Sequence, residues 1–325
     1  MRRLAVVVAL AACHSPSSAG DGIDAPGGDD DAMIDAPATM IDAGPCGMRG
    51  GMRGKTNRMI TVGGANRTYI VYLPDGDPKT PMPFVAVFHG YTMSGQNMVD
   101  TTGYTALADA EHIALVFPDG QGGPGSLLAP WNVGDNVCPS LTGPPPDASG
   151  DDFAFLDAMK GDVESDQCLD QQHVFVTGFS MGGYFSHHTG CMRPDVRAVA
   201  PHSGGTHVLD DCPSVHKPII MFHGKSDPVI PDGCDDPNGT TPAGFTASAT
   251  MWAAHNGCST TVKTTPVEMG SCSYYDGCPA DGQVAVCTFD NMGHCWAGGA
   301  AGLYGCPGYE AATQLEWSFF KQYAW

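Results

Sequence analysis

Short apolar segments alternate with helical segments along most of this chain, and that alternation is the strongest constraint on its fold. Apolar runs without strict polar alternation are typical of parallel strands buried on both faces. Five such runs occupy residues 84–88, 113–117, 174–179, 197–201 and 218–222. Residues 58–62 and 66–73, joined through Gly63 and Gly64, predict an antiparallel hairpin ahead of them. The pattern therefore predicts an α/β fold with a mostly parallel sheet flanked by helices.

Three segments between and after these strands carry apolar residues at helical spacing. The first begins at Asp151 or Asp152, either of which can cap it, and the others span residues 241–255 and 309–323. Apolar stripes run along the first and third, at Phe153, Leu156, Met159 and Val163 and at Ala312, Leu315, Phe319 and Tyr323. In an open α/β sheet the ligand site lies at the carboxyl ends of the strands, so the chemistry should follow the strands directly.

Charge and cysteine content narrow the class of protein. The formal charge of −20 opposes binding to nucleic acid and to anionic lipid. Thirteen cysteines without paired C-x-x-C motifs indicate an oxidising compartment and a disulfide-stabilised domain. A chain of 325 residues with 42% hydrophobic residues can bury a substantial core, and we expect a monomer.

The N-terminus resembles a bacterial lipoprotein signal. Arg2 and Arg3 precede a short apolar run, and residues 10–13 resemble a lipobox in which cleavage before Cys13 is coupled to its lipidation. Twelve cysteines follow Cys13, enough for six bridges. The alternative is an ordinary signal peptide cleaved near Ala12. Either interpretation predicts an extracytoplasmic protein, as an outer-membrane lipoprotein or a secreted one, whose contact with a membrane runs through the lipid on Cys13.

Residues 14–45 differ in composition from the rest. Residues 14–44 contain seven Asp and neither Lys nor Arg, which is typical of an acidic tether that cannot bury enough apolar area to fold. A calcium loop is the alternative, but the ligand order of such a loop is absent. We therefore expect three parts: a signal segment at 1–13, the tether at 14–45, and a folded domain at 46–325 that should hold the functional residues.

A candidate nucleophile follows the strand predicted at 174–179. Ser180 is the centre of a G-x-S-x-G pattern between that strand and a helix, where a nucleophile elbow needs glycines because backbones approach closely. The alternative is a tight strand-to-helix turn with an idle serine.

A serine nucleophile needs a base and an orienting acid, which follow it in the order Ser, acid, His in α/β-hydrolases. Asp227 follows the strand at 218–222, and Asp232 is its rival. Of the two histidines beyond them, His255 lies within a predicted helix, whereas His294 follows the last predicted strand, at 283–289. We predict Asp227 as the acid and His294 as the base.

The oxyanion of the tetrahedral intermediate needs two backbone N–H donors. One should be Met181, directly after the nucleophile. The other should follow the strand at 84–88, where Tyr91 is preferred to Gly90. His89 is interpreted as a hydrogen-bonding support of this loop.

Seven motifs in order resemble the feruloyl esterase and polyhydroxybutyrate depolymerase group of α/β-hydrolases. They are NRTY (66–69), FHG (88–90), DDF (151–153), VTGFSMGG (176–183), FHGKSD (222–227), WAAHNGC (252–258) and GHCW (293–296). The resemblance implies an α/β-hydrolase fold and hydrolysis of carboxylic esters, with Ser180 as nucleophile, Asp227 as acid and His294 as base, and with neither cofactor nor metal. Phe179 stands where tannase-like relatives have a cysteine that bridges to the residue after the base, so no such bridge to Cys295 is expected.

The substrate is less constrained. The long Gly- and Pro-rich segment at 119–150 is interpreted as one wall of the acyl pocket, and Trp131 and Trp296 are candidate aromatic surfaces for the substrate, with buried packing as the alternative for both. We expect a feruloyl or related plant polysaccharide esterase. The alternatives are a polyhydroxybutyrate depolymerase and a non-catalytic adhesion lipoprotein, which would require a broken triad.

Overall fold

A computed structural model describes residues 46–123, 128–134, 150–206, 209, 212–230 and 245–323, all within one compact unit. The predicted signal segment with Cys13 and the predicted tether lie outside the described residues.

Ten strands of the described chain form one sheet. They are β1 (Gly54–Val62), β2 (Ala65–Leu73), β3 (Met82–Phe88), β4 (Ala114–Pro118), β5 (Leu169–Phe179), β6 (Ala198–His202), β7 (Ile219–Gly224), β8 (Val262–Val267), β9 (Gly270–Tyr275) and β10 (Val284–Phe289). Their order across the sheet is β1-β2-β4-β3-β5-β6-β7-β10-β9-β8. The strands from β4 to β10 in that order are parallel, and β1, β2, β8 and β9 pair antiparallel at the two edges. The predicted α/β-hydrolase architecture is confirmed.

Helices cover both faces of this sheet. They are α1 (Gly95–Thr102), α2 (Tyr104–Glu111), α3 (Asp152–Asp166), α4 (Met181–Met192), α5 (Phe245–His255) and α6 (Ala312–Phe320). Residues of α3, α4 and α5 pack into one buried cluster and residues of α1, α2 and α6 into another. Successive residues of the central strands alternate between the clusters, as Phe84 and Val85 do, because side chains of a strand point to opposite faces.

Local sequence accounts for the main boundaries. Val62 pairs with Ala65 across Gly63 and Gly64, whose φ angles of 56° and 81° fit the two-residue hairpin that was predicted. The Asp151 side chain accepts a hydrogen bond from the Ala154 N–H (2.8 Å) and caps α3.

Two parts of the fold were not predicted. The α1–α2 pair lacks a clear apolar stripe in the sequence. The β8–β9 hairpin extends the sheet beyond β10, and β8 is largely exposed with Lys263 and Pro266 along it, as edge strands often are.

Five disulfides occur among the described residues. They pair Cys46 with Cys168, Cys191 with Cys212, Cys258 with Cys278, Cys272 with Cys287, and Cys295 with Cys306. The domain is therefore disulfide-stabilised, as predicted. The loop after His294 contains two short strands that pair in parallel, β11 (Trp296–Ala297) and β12 (Gly305–Cys306). Among the described residues, no helix is long and apolar enough to cross a bilayer.

Candidate active site

The turn between β5 and α4 holds Ser180 in a backbone conformation that residues other than glycine rarely adopt. Its φ and ψ are 56° and −115°. A Cβ atom on Gly178, Gly182 or Gly183 would overlap backbone atoms of neighbouring strands and turns. The glycines of the G-x-S-x-G pattern are therefore required by close backbone packing, and the serine is raised at the carboxyl edge of the sheet.

Three side chains that were predicted from separate loops meet at this edge. The Ser180 Oγ lies 2.9 Å from the His294 Nε2, and the His294 Nδ1 lies 2.7 Å from the Asp227 Oδ2. Because a carboxylate only accepts hydrogen bonds, Nδ1 carries the proton, and the neutral imidazole leaves Nε2 free to accept the serine hydroxyl. This is the arrangement in which a serine can be activated as a nucleophile.

Asp227 is fixed and kept ionised by its surroundings. Its Oδ1 accepts the N–H groups of Val229 (2.8 Å) and Ile230 (2.9 Å), and its side chain is 1% exposed. Burial acts to raise the pKa of Asp227, but hydrogen bonds from His223 and His294 outweigh it and hold this pKa well below the usual range. A charged carboxylate can therefore stabilise the imidazolium that forms during proton transfer.

The rival histidine of the described chain, His255, does not enter this arrangement. His255 lies at the end of α5, where its Nε2 is 2.8 Å from the Ser214 carbonyl oxygen. Asp232 lies outside the described residues.

The candidate oxyanion loop, which follows β3 and contains Gly90 and Tyr91, is adjacent to Ser180. A Cβ atom on Gly90 would lie 3.1 Å from the Ser180 Cβ, so the backbone after β3 passes directly beside the serine. Met181 is the first residue of α4, and the N–H groups of a first helical turn have no partner within the helix. The N–H groups of Met181 and Tyr91 stay predictions as the two donors.

His89 supports this loop through both ring nitrogens. Its Nε2 accepts the Gly120 N–H (2.8 Å), so its Nδ1 carries the proton and donates to the Gly90 carbonyl (2.6 Å). Complete burial lowers the pKa of His89 to about 4, so the ring is neutral. The loop is thereby tied to the segment after β4.

Trp131 does not present a surface to substrate, which corrects the prediction. Its side chain is fully buried, with its ring against Phe88 (centroids 4.9 Å apart) and Phe185 (5.9 Å). Its indole N–H donates to the His89 carbonyl (2.8 Å). Trp131 therefore belongs to the support of the oxyanion loop, and buried packing, the alternative, is what the structure has.

Trp296 requires the same correction, because its side chain is 1% exposed. Its ring is stacked on that of His202, with centroids 3.6 Å apart, and its N–H donates to the Thr313 hydroxyl (3.1 Å). A stacked, buried indole cannot contact a substrate ring.

The loop that carries His294 is closed by a disulfide between two of its own residues. Cys295 pairs with Cys306, and the Phe179 ring, where tannase-like relatives have a cysteine, packs against the His294 ring with centroids 4.8 Å apart. The absence of a direct bridge between the nucleophile and base loops agrees with the expectation from the sequence.

Two buried histidines of the site were not assigned a role from the sequence. The carbonyl of His202 accepts the Ser180 N–H (2.8 Å), and the ring of His223 lies beside Asp227, with 3.3 Å between Nε2 and Oδ2. His223 stands inside the FHGKSD motif, but its contact depends on the turn that follows. His202 carried no signal beyond its place at the end of a strand.

Comparisons with known proteins identify the family of this chain. The Esterase family, described as "Putative esterase", matches residues 61–263. Feruloyl esterase C of Emericella nidulans is 30% identical over 276 residues, covering 82% of this chain and 87% of that protein. Among solved structures, acetyl xylan esterase from Aspergillus awamori has a TM-score of 0.56 at 14% identity, covering 82% of this chain and 99% of the other. The poly(3-hydroxybutyrate) depolymerase from Bordetella parapertussis has a TM-score of 0.51 at 19% identity, covering 78% and 88%.

The two structural similarities support the fold alone. The family match and the similarity to feruloyl esterase C support the chemistry. This chain belongs to the esterase family of α/β-hydrolases to which the feruloyl esterases are related, and it is a carboxylic-ester hydrolase.

Proposed function

We propose that this protein is an extracytoplasmic serine esterase that hydrolyses feruloyl or related esters of plant polysaccharides through Ser180, His294 and Asp227. The observation that carries the proposal is the pair of contacts that joins these residues, 2.9 Å from serine to histidine and 2.7 Å from histidine to aspartate. The substrate class is supported by the feruloyl esterase that is 30% identical over most of both chains.

The proposed reaction has two halves. Ser180 Oγ attacks the ester carbonyl carbon while its proton passes to the His294 Nε2, and Asp227 stabilises the imidazolium. The N–H groups of Met181 and Tyr91 stabilise the oxyanion. Collapse of the intermediate breaks the bond to the alcohol, which leaves with the proton from His294. Water then attacks the acyl-enzyme by the same route, releasing the carboxylic acid and restoring Ser180.

The extracytoplasmic location is proposed from the disulfides. Ten described cysteines are paired in five disulfides, and such bridges persist outside the reducing cytosol. A lipid on Cys13 stays a proposal from the lipobox alone.

The alternatives have less support. A polyhydroxybutyrate depolymerase is favoured by likeness of fold alone. A non-catalytic adhesion protein has no need for a serine held at a positive φ within hydrogen-bonding distance of a histidine.

One assay series tests both mechanism and substrate. The purified chain is given methyl ferulate and oligomers of 3-hydroxybutyrate in parallel, and release of ferulate should dominate. The variant Ser180→Ala should lose about six decades in kcat while remaining folded. Ser318→Ala, at an exposed serine of α6, is the control. Dominant release of 3-hydroxybutyrate would reassign the substrate, and an active Ser180→Ala variant would remove the mechanism.

A further inference from the structure

A second histidine, His223, contacts the proposed catalytic acid. His223 lies on β7, four residues before Asp227, and is 1% exposed. Its Nε2 is 2.7 Å from the Ile230 carbonyl oxygen and 3.3 Å from the Asp227 Oδ2. Its ring is stacked on Phe245 of α5, with centroids 4.5 Å apart, so its orientation is fixed by packing.

The protonation of this ring follows from its partners. A carbonyl oxygen only accepts hydrogen bonds, so the His223 Nε2 must carry a hydrogen to approach the Ile230 oxygen at 2.7 Å. The same N–H lies close to the Asp227 Oδ2, which also accepts from His294. The His223 N–H is thus shared between the Ile230 carbonyl oxygen and the Asp227 carboxylate.

These contacts close a ring of hydrogen bonds around the carboxylate. The Ile230 N–H donates to the Asp227 Oδ1 (2.9 Å), and the Ile230 carbonyl accepts from His223, whose N–H also faces Oδ2. Rotation of the carboxylate would break contacts at both oxygens. The remaining lone pair of Oδ2 is left directed to His294.

We propose that His223 is a positioning residue of the esterase reaction, which holds the Asp227 carboxylate toward His294 and withdraws part of its negative charge through a shared N–H. This inference rests on the proposed function, since it requires Asp227 and His294 to act on Ser180. His223 touches neither Ser180 nor the ester and acts only through Asp227.

The charge effect has a defined sign. Among the described residues, the titratable groups that face Asp227 include His294, His223 and the phenol of Tyr184, whose pKa is raised by burial and by the Asp227 charge. Without the His223 N–H, more of the carboxylate charge acts on His294, and the protonated imidazole is stabilised. Only the neutral imidazole accepts the serine proton. The acidic limb of the pH profile of kcat/KM, where the rate rises with pH, should therefore move to higher pH.

The decisive variant removes the N–H and keeps a flat ring on Phe245. His223→Phe should lower kcat on p-nitrophenyl acetate about tenfold or more, with KM little changed, and should move the acidic limb upward by about half a pH unit. His223→Gln carries an N–H near the position of Nε2, so it should restore much of the rate and return the limb toward that of the wild type.

His187→Phe is the matched control. His187 is also 1% exposed and stacked on an aromatic ring, that of Trp252, with centroids 6.3 Å apart, and its Nδ1 accepts the Trp252 N–H (3.0 Å). The hydrogen bonds that lower the pKa of Asp227 come from His223 and His294. This variant should lose stability and keep the limb where the wild type has it.

Several outcomes would overturn the inference. A lower kcat in His223→Phe with an unmoved limb would mean that His223 is structural only. A His223→Gln variant indistinguishable from His223→Phe would mean that the N–H is not what matters. If His223→Phe does not fold, His223→Gln against His223→Met gives the same comparison. Loss of the proposed function would be recognised separately, by full activity in Ser180→Ala.

Discussion

The imidazole of His202 and the indole of Trp296 lie face to face, 10° from parallel. Phe222 covers the other side of the imidazole, with centroids 4.3 Å apart, and the His202 carbonyl accepts the Ser180 N–H. Phe222 lies on the strand that leads to Asp227, and Trp296 lies two residues after His294. One buried histidine therefore contacts the segments that carry all three proposed catalytic residues.

Helix α6 completes this cluster with a buried carboxyl group. The Glu316 Oε2 lies 2.8 Å from the His202 Nε2, and its Oε1 accepts the Tyr104 hydroxyl (2.5 Å). Burial raises the pKa of Glu316 and lowers the pKa of His202, so burial favours the uncharged form of both side chains. The C-terminal helix thereby fixes the region behind the nucleophile.

Trp296→Ala should lower the free energy of unfolding by about 3–5 kcal/mol, because it removes a fully buried ring from a stacked cluster. Trp296→Phe should cost less, since a ring can still cover His202. Urea unfolding followed by circular dichroism measures both. If instead Trp296→Ala kept its stability and raised KM for aromatic esters alone, a substrate contact would replace the packing role.

Asp227→Asn should keep the fold and lower kcat by about four decades, because the amide favours the wrong tautomer of His294 and cannot stabilise the imidazolium. Asp232→Asn should change little. Steady-state rates on p-nitrophenyl acetate compare the two variants. An inactive Asp232→Asn enzyme beside an active Asp227→Asn enzyme would move the acid to the second position and leave the esterase chemistry intact.

The meeting of the three proposed triad residues could be predicted from sequence because local features mark each of them. Each lies in the segment that follows a predicted strand, and parallel strands bring their carboxyl ends to one edge. The glycines beside Ser180 and the order of the three loops added independent constraints. For the same reason the central sheet was predicted from its apolar runs.

The roles of the tryptophans could not be predicted in the same way. An aromatic residue two positions after the base is compatible with a pocket wall or with the core, and the choice depends on partners distant in sequence. For Trp296 these are His202 and Thr313, and for Trp131 they are Phe88 and Phe185. The edge hairpin β8–β9 was missed because exposed strands lack an apolar pattern.

Cys13→Ser should convert a membrane-associated protein into a soluble one, because the lipid is the proposed anchor. Partition of the cell-expressed chain between detergent and aqueous phases checks this, with Cys46→Ser as a control that alters a disulfide and leaves the lipobox intact. Wild-type protein found in the aqueous phase would favour the ordinary signal peptide.

Stability should fall as the solution is acidified from pH 7 toward pH 4, and His89 should account for a measurable part of that fall. Burial lowers the pKa of His89 to about 4, against about 6.5 for an unfolded chain. The unfolded state therefore binds a proton in this window that the folded state does not, and each pH unit costs about 1.4 kcal/mol.

The comparison of wild type with His89→Gln isolates this contribution, because the other buried groups titrate alike in both. His202, with its own lowered pKa, destabilises the fold in the same direction, whereas the raised pKa of Glu316 acts in the opposite one. The free energy of unfolding in urea, measured at several pH values, should depend less steeply on pH below about 6.5 in the variant. Because His89 also supports the proposed oxyanion loop, the variant should lose activity at every pH. Equal slopes for the two proteins would mean that His89 is not held neutral, and the hydrogen bonds that fix the loop would need a different assignment.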